Sequence, residues 1–119
     1  MNVAVIGASD NPERYSNRAV RLLKEKGHSV FPVHKRLRMV EGFEVFSSVR
    51  HIPQAIDTVT LYVAADISSA LTAEILTKKP RRIIFNPGAE NEPLASLARN
   101  EGIVVQNACT LVLLRTSQF

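Results

Sequence analysis

The feature that most constrains this chain is a charge-free apolar run, Val3–Ile6, which meets Gly7 and then a polar loop up to Ser16. An apolar run that does not alternate with polar residues is typical of a strand buried on both faces of a parallel sheet. A glycine directly after such a strand permits the tight turn from which a helix can start. The segment therefore predicts the first strand, turn and helix of a nucleotide-binding α/β fold, with phosphate groups bound at the turn.

Predicted strands and helices alternate along the rest of the chain. The strands are expected at residues 2–6, 29–33, 58–63, 82–85 and 103–105, with a short edge strand at 44–46. The helices are expected at 16–27 with Ser16 as N-cap, at 67–78, from Pro93 to Gly102 and at 108–114, with turns at Glu41-Gly42 and 51–55. This alternation predicts an α/β fold with a doubly wound, mostly parallel sheet and helices on both faces. Numbered along the chain, the expected strand order is 3-2-1-4-5-6, in a single domain over residues 1–119.

The composition limits the classes of protein to which this chain can belong. A hydrophobic content of 45%, a charged content of 22% and a net charge of +4 are ordinary for a globular protein in water. No apolar run reaches the length of a membrane span, and tryptophan, a common stacking platform for nucleic acid bases, is absent. The single cysteine, Cys109, excludes an internal disulfide framework, and its apolar surroundings predict a buried, unreactive thiol. We therefore expect a cytoplasmic protein without a membrane or nucleic acid partner.

The topology predicts where a ligand would bind. In doubly wound sheets ligands lie beyond the carboxyl ends of the strands, near the point where the strand order reverses. The segments delivered there are 7–16, 33–38, 63–66 and 86–90. These four segments form the predicted site.

The first of these segments offers phosphate-binding groups without a dinucleotide fingerprint. Gly7 is not followed by the second glycine of a Gly-x-Gly-x-x-Gly motif, and no Gly-x-x-x-x-Gly-Lys-Ser motif is present. The loop instead provides the hydroxyls of Ser9 and Ser16, the guanidinium of Arg14 and the free amides of the following helix. The competing interpretation is that Ser16 is only a helix cap and Arg14 only a surface charge.

The end of the second strand is basic. A fold of this kind that uses NAD usually has an acidic residue here, which binds the ribose 2′-hydroxyl. This chain has Val33 followed by His34, Lys35 and Arg36. A basic cluster would attract a phosphorylated ribose, which is found in both NADP and coenzyme A. A purely solvated surface is the alternative explanation of these charges.

An ordered set of motifs carries a family resemblance over essentially the whole chain. The motifs are Gly7-Ala8-Ser9-x-x-Pro12-x-Arg14-Tyr15-Ser16, Val30-Phe31-Pro32-Val33, Gly42-x-x-Val45, Asn86-Pro87-Gly88-Ala89-Glu90-Asn91 and Cys109-Thr110-Leu111-Val112-Leu113-Leu114. The chain resembles stand-alone bacterial CoA-binding-domain proteins, which are similar to the amino-terminal domain of the succinyl-CoA synthetase α subunit. It departs from them after the second strand, where Val33-His34-Lys35 replaces the usual Val-Asn-Pro.

The resemblance implies a Rossmann-like fold and coenzyme A, or an acyl-CoA, as the ligand. The ligand-binding residues that it implies, together with the basic cluster, are Gly7, Ala8, Ser9, Arg14, Tyr15, Ser16, Val33, His34, Lys35, Arg36, Val63, Ala64, Asn86, Pro87 and Gly88.

No catalytic role is expected. The histidine that the synthetase subunit phosphorylates lies in a second domain, and His28, His34 and His51 have no evident partner for catalysis. His28, next to a helix-ending glycine, is expected at the surface, and no group of residues has metal-ligand spacing. The expected function is CoA binding without catalysis. The alternatives are a small NADP-binding oxidoreductase-type domain and an interaction module that responds to acyl-CoA.

Overall fold

The computed structural model describes residues 1–119 as one parallel sheet flanked by helices and a short hairpin. In chain order the elements are β1 (Asn2–Ile6), α1 (Tyr15–Glu25), β2 (Ser29–Val33), β3 (Met39–Val40), β4 (Phe43–Glu44), a 3₁₀ turn (Val49–His51), β5 (Thr58–Leu61), α2 (Ala65–Ala70), α3 (Thr72–Thr77), β6 (Arg82–Phe85), α4 (Glu92–Asn100), β7 (Val104–Asn107) and α5 (Thr110–Arg115).

The sheet has the strand order β2-β1-β5-β6-β7, with every neighbouring pair parallel. Ile6 at the end of β1 is in register with Val33 on one side and Leu61 on the other. The order reverses at β1, so the carboxyl ends of β1, β2 and β5 enclose the switch point. The predicted α/β fold and the order of these five strands are confirmed. The predicted edge strand at 44–46 is reduced to a single parallel bridge between Val33 and Phe46.

Residues 39–44 form an antiparallel hairpin that the sequence patterns did not predict. Its turn is Glu41-Gly42, as expected, and both residues have positive φ values of 52° and 84°. Positive φ at both central positions is characteristic of the tight turns that suit the twist of paired strands. Val40 is buried in the core cluster that includes residues of α1, which holds the hairpin over that helix.

Two apolar clusters, one on each face of the sheet, form the core. The larger packs Ile6, Leu61 and Phe85 against α3 and α4, and the smaller packs Val3 and Val5 against α1 and α5. Alternate residues of β1 therefore serve opposite faces, which explains why its sequence is continuously apolar. The predicted helices on both faces are confirmed.

Two helix predictions are wrong in detail. Helix α1 begins at Tyr15 with Arg14 at the cap position, so Ser16 lies in the first turn and is not the N-cap. The predicted helix 67–78 is two short helices, α2 and α3, which meet at Leu71, where φ is −100° and ψ is 2°. None of the helices is both long enough and apolar enough to cross a membrane.

Candidate functional site

Two adjoining cavities open at the carboxyl edge of the sheet, beside the switch point. The first has a volume of about 540 Å³ and is lined by Gly7, Ala8, Ser9, Asp10, Arg14, Tyr15, Ser16, His34, Leu37, Tyr62, Val63 and Pro87. The second has a volume of about 370 Å³ and is lined by Ile6, Gly7, Val33, His34, Lys35, Arg36, Ser47, Val63, Ile67, Leu71 and Glu74. Gly7, His34 and Val63 belong to both linings, so the two cavities adjoin along these three residues.

The turn after β1 can only be made by glycine. Gly7 has φ +88°, and a Cβ placed on it would lie 2.8 Å from Val63 Cγ1 and 3.0 Å from the Tyr62 carbonyl oxygen. The amides of Gly7 and Ala8 both donate to the Val33 carbonyl oxygen, at 3.1 and 3.3 Å. The backbone of β1 therefore turns closely between the ends of β2 and β5 and opens the space in which the two cavities meet.

Local hydrogen bonds wind the loop between Gly7 and α1. The Ser9 hydroxyl accepts the amide of Asn11 at 3.0 Å, and the Asn11 side chain accepts the amide of Glu13 at 3.0 Å. The Arg14 amide then donates to the Asn11 carbonyl oxygen at 3.0 Å. These turns direct the chain into the helix before Ser16, which explains why Ser16 does not occupy the cap position.

A buried asparagine fixes this loop to its surroundings. Asn17 is fully buried, and its side-chain amide donates to the Ser9 carbonyl oxygen at 2.9 Å and to the Glu41 carboxylate at 3.1 Å. Its side-chain oxygen accepts from Arg21 Nε at 2.8 Å, and Arg21 also donates to the Pro12 carbonyl oxygen at 2.8 Å. The loop, α1 and the hairpin are thus joined through one side chain.

The first cavity presents hydrogen-bond donors that the chain does not use. The backbone amides of Tyr15 and Ser16, which line this cavity, have no acceptor within the protein, as is usual for the first turn of a helix. The exposed Arg14 side chain lines the same cavity and makes no ion pair or hydrogen bond. Unused amides at a helix start together with an unpaired guanidinium favour an anion such as a diphosphate.

The basic segment after β2 is a tight turn built by a histidine. His34 Nδ1 accepts the amides of Arg36 and Leu37 at 3.0 and 3.1 Å. The His34 amide in turn donates to the Phe46 carbonyl oxygen at 3.0 Å, which anchors the turn to the segment after β4. Lys35 and Arg36 are exposed at the second cavity, and neither makes an ion pair. The turn therefore holds two uncompensated positive charges at this cavity.

The second cavity is otherwise mostly apolar. Ile6, Val33, Val63, Ile67 and Leu71 supply its apolar surface. Its one carboxylate, Glu74, accepts a hydrogen bond from the Ser48 hydroxyl. An apolar slot bounded by cations suits a flat heteroaromatic base that carries a phosphate.

Tyr62 lines the first cavity with part of its side chain and buries its hydroxyl within the protein. The Tyr62 hydroxyl is buried and makes no hydrogen bond of good geometry. Burial raises the pKa of this phenol well above its usual range, an effect that the nearby Cys109 reinforces and that the Thr110 and Thr60 hydroxyls reduce. The phenol is therefore neutral at physiological pH. Cys109 itself is partly buried rather than fully buried as predicted, and it lines neither cavity.

Twelve of the predicted ligand-binding residues line these cavities, whereas Ala64, Asn86 and Gly88 line neither. The Asn86 side chain, 2% exposed, donates to Thr60 Oγ1 at 2.7 Å and to the Leu61 carbonyl oxygen at 2.9 Å. Its oxygen accepts the Thr110 amide at 2.9 Å. Asn86 thus holds the ends of β5, β6 and α5 together.

Several lining residues were not singled out from the sequence. Asp10 and Leu37 fall inside the segments that the topology predicts at the carboxyl edge. Tyr62 lies at the end of the predicted strand 58–63, so a signal for it was present. Glu74 and Ser47 reach the second cavity only through packing between distant segments, for which the sequence offers no signal. No group of three or more His, Cys, Asp or Glu side chains is arranged to hold a metal ion.

The chain is similar to several known proteins. Residues 1–115 match the family model described as a CoA binding domain. The uncharacterized protein YneT of Bacillus subtilis is 24% identical over 111 residues, covering 92% of this chain and 82% of YneT. The alpha subunit of the ADP-forming acetate–CoA ligase II of Pyrococcus furiosus is 37% identical over 62 residues, 51% of this chain and 14% of the subunit. The crystal structure of an uncharacterized protein superposes with a TM-score of 0.93 at 36% identity, over 99% of this chain and 97% of that one.

Proposed function

Because the chain belongs to the family of CoA-binding domains, which is related to subunits of acyl-CoA-forming ligases, we propose that it binds coenzyme A or an acyl-CoA and carries out no reaction itself. The ligand lies across the two adjoining cavities at the carboxyl edge of the sheet. The observation that carries the proposal is the set of unused donors and unpaired cations that line these cavities. The protein acts in the cytoplasm, in keeping with its single cysteine.

The diphosphate of the ligand lies in the first cavity. Its oxygens accept from the free amides at the start of α1 and from Arg14, while the hydroxyls of Ser9 and Ser16 lie beside it. The missing Cβ of Gly7 lets the turn pack closely against Val63 and Tyr62, which positions the loop that carries these donors. This arrangement needs no second glycine, because donors from a helix start replace the backbone cradle of a dinucleotide fingerprint.

The adenosine lies in the second cavity. Its base packs between Val33 and the apolar side chains of Ile67 and Leu71, and the charges of Lys35 and Arg36 face the phosphate on its ribose. Both charges lack a partner within the chain, so the ligand supplies the counter-charge that the fold does not. The NADP alternative receives no support from the comparisons, although the basic turn alone would accept its phosphorylated ribose.

The side chains around the site support the proposal that the protein catalyses no reaction. Apart from His34, the ionisable groups lining the first cavity are Asp10, Arg14, Tyr15 and Tyr62. Tyr62 keeps its proton because burial raises the pKa of its phenol, and the thiol of Cys109 does not reach either cavity. No activated nucleophile with an adjacent base is present for acyl transfer.

A thermal-shift comparison of CoA, acetyl-CoA, dephospho-CoA, NADP and NAD tests the proposal. A ligand at about 100 times its dissociation constant adds about 2.7 kcal/mol to the free energy of unfolding. We expect clear shifts with CoA and acetyl-CoA, a smaller shift with dephospho-CoA and none with NAD. A shift with NADP and none with any CoA species would overturn the assignment. Hydrolysis of acetyl-CoA, followed by free thiol release, would overturn the claim that the protein performs no reaction.

A further inference from the structure

The imidazole of His34 has two nitrogens with different environments. Nδ1 accepts hydrogen bonds from the amides of Arg36 and Leu37, so it carries no proton. In the neutral ring the proton is then on Nε2, which makes that atom a donor. Nε2 has no acceptor in the chain, and the His34 ring lines both cavities. The residue that shapes the turn therefore also presents an unused N–H to the site.

The position of this donor indicates which part of a ligand it meets. His34 is one of the residues that border both cavities, whereas Arg14 lines only the first and Lys35 only the second. In coenzyme A the ribose connects the diphosphate to the adenine and bears the 3′-phosphate. A ligand with its diphosphate in the first cavity and its base in the second places that ribose beside His34.

We propose that His34 is a specificity-determining residue, in which Nδ1 fixes the basic turn and Nε2–H donates to the 3′-phosphate of the bound ligand. This inference rests on the proposed function and assigns one group of the ligand to one atom of the protein. The neighbouring cations, Lys35 and Arg36, attract the phosphate by charge, and His34 selects its position through a directional hydrogen bond. A ligand without the 3′-phosphate leaves this donor unused.

Two substitutions separate the two nitrogens. In His34→Asn the side-chain oxygen can occupy the place of Nδ1 and keep the turn, while the donor at Nε2 is lost. In His34→Gln the longer amide can reach the place of Nε2, while the acceptor for the two backbone amides is lost. Hydrogen exchange of the Arg36 and Leu37 amides reports on the turn, and calorimetric affinities for CoA and dephospho-CoA report on the donor.

For His34→Asn we expect both amides to stay protected and the dissociation constant for CoA to rise about tenfold to a hundredfold, the usual effect of losing a hydrogen bond to a charged group. The affinity for dephospho-CoA should stay within about twofold of the wild-type value. For His34→Gln we expect faster exchange of the two amides and a larger remaining preference for CoA than in His34→Asn.

Two results would overturn the inference. One is a His34→Asn variant with the wild-type ratio of CoA to dephospho-CoA affinity, which would leave His34 with only the structural task of holding the turn. The other is an equal loss of affinity for CoA and for dephospho-CoA in His34→Asn, which would place the Nε2–H donor at the diphosphate. Failure of the wild-type protein to bind CoA would instead overturn the proposed function, so the two failures are distinguishable.

Discussion

The two ends of the sheet both carry basic side chains but use them differently. At the amino end, Arg82 donates through Nε and Nη2 to Thr58 Oγ1 at 3.2 and 3.1 Å and through Nη1 to Gln106 Oε1 at 3.3 Å. Its guanidinium also lies 4.4 Å from the centre of the Phe119 ring. Arg82 is therefore part of the fold, linking β5, β6, β7 and the Phe119 side chain.

Two other cations near the amino end have partners within the chain. Arg81 lies 3.9 Å from the Asp57 carboxylate, and the Lys78 ammonium donates to the Ile52 carbonyl oxygen. At the carboxyl end, by contrast, Arg14 and Lys35 line cavities and have no partner. Positive charge alone therefore does not mark a ligand site. Nor does the lack of a partner alone, since Lys79 lines cavities at the amino end and makes no ion pair or side-chain hydrogen bond. The carboxyl end differs because Arg14 lines the same cavity as the free amides at the start of α1, and this combination favours an anion.

The largest effect is expected from Gly7→Ala at the carboxyl end. The new Cβ would meet Val63 Cγ1 at 2.8 Å on a backbone with φ +88°. Strain and overpacking together should lower the free energy of unfolding by about 2–4 kcal/mol and abolish CoA binding. Urea denaturation and calorimetry measure the two effects.

Gly102→Ala is the matched control at the amino end, because Gly102 has φ +79° and a Cβ added there would meet no atom within 4 Å. Its cost should be the backbone strain alone, about 1–2 kcal/mol, with CoA affinity unchanged. Equal losses of stability in the two variants would contradict the close packing described for the turn after β1.

Next in size is Arg82→Met at the amino end. Removing the charged hydrogen bonds to Thr58 and Gln106 should lower the free energy of unfolding by about 2 kcal/mol. CoA affinity should not change, since Arg82 lies at the opposite end of the sheet from the cavities. Arg99→Met, which breaks only an exposed ion pair with Glu92, should cost at most about 0.5 kcal/mol. A weaker affinity for CoA in Arg82→Met would break the proposed division between the two ends.

Arg14→Ala should weaken CoA binding without destabilising the fold, which is the converse of the result expected for Arg82→Met. Loss of this guanidinium should raise the dissociation constant for CoA about tenfold, because the diphosphate loses a charged partner. The free energy of unfolding should change by less than about 0.5 kcal/mol, since the side chain makes no contact that stabilises the fold. Arg81→Ala, whose side chain is 86% exposed, is the matched control and should leave CoA affinity unaltered. An unchanged affinity in Arg14→Ala would remove Arg14 from the site.

The smallest effect on stability is expected from the protonation of His28, at the amino end. The pKa of its imidazole is lowered from the ordinary value of 6.5, first by burial and then by the Met1 ammonium and Arg82, against an opposing effect of Asp57. The folded state therefore favours the neutral ring, which accepts from the Met1 ammonium at 3.2 Å and packs edge-on against Phe119. This side chain is half-buried, whereas the sequence predicted a surface residue.

The sign of the pH dependence follows from this direction. His28 stabilises the fold fully above pH 6.5, and its contribution is lost as the pH falls from 6.5 through the lower folded-state pKa, because the unfolded chain then binds the proton more readily. Urea denaturation at several pH values across this range should show a shallower pH dependence for His28→Gln than for the wild type. An identical pH dependence in the variant and the wild type would show that His28 does not contribute to the pH dependence of stability. CoA affinity in His28→Gln should equal that of the wild type.

Local signals were enough to predict the sheet. The β-branched run Thr58–Leu61 and the apolar runs before Gly7 and Pro87 identify strands without reference to the rest of the chain. The hairpin was missed because its two-residue strands carry no period, and its position depends on Val40 packing with α1. The break at Leu71 has no glycine or proline to mark it. The apolar pattern of residues 67–78 therefore predicts one continuous helix and gives no sign of the break.

The site was predictable where the topology alone delivers residues. Gly7, Arg14 and Lys35 follow strands that meet at the switch point, and their positions follow from the strand order. The role of each side chain within the site was not predictable. Whether His34 directs one nitrogen to its own turn, or Asn86 uses its whole amide inside the protein, depends on distances between segments far apart in sequence.

The buried side chain of Asn17 has a thermodynamic consequence for binding. By holding Ser9, Arg21 and Glu41 at once, it orders the loop after β1 before any ligand is present. A ligand arriving at this loop need not reduce the conformational freedom of the backbone, which is a cost that flexible binding loops must overcome. Association should therefore resemble the filling of a preformed pocket, with a rate limited by encounter and orientation rather than by folding of the loop.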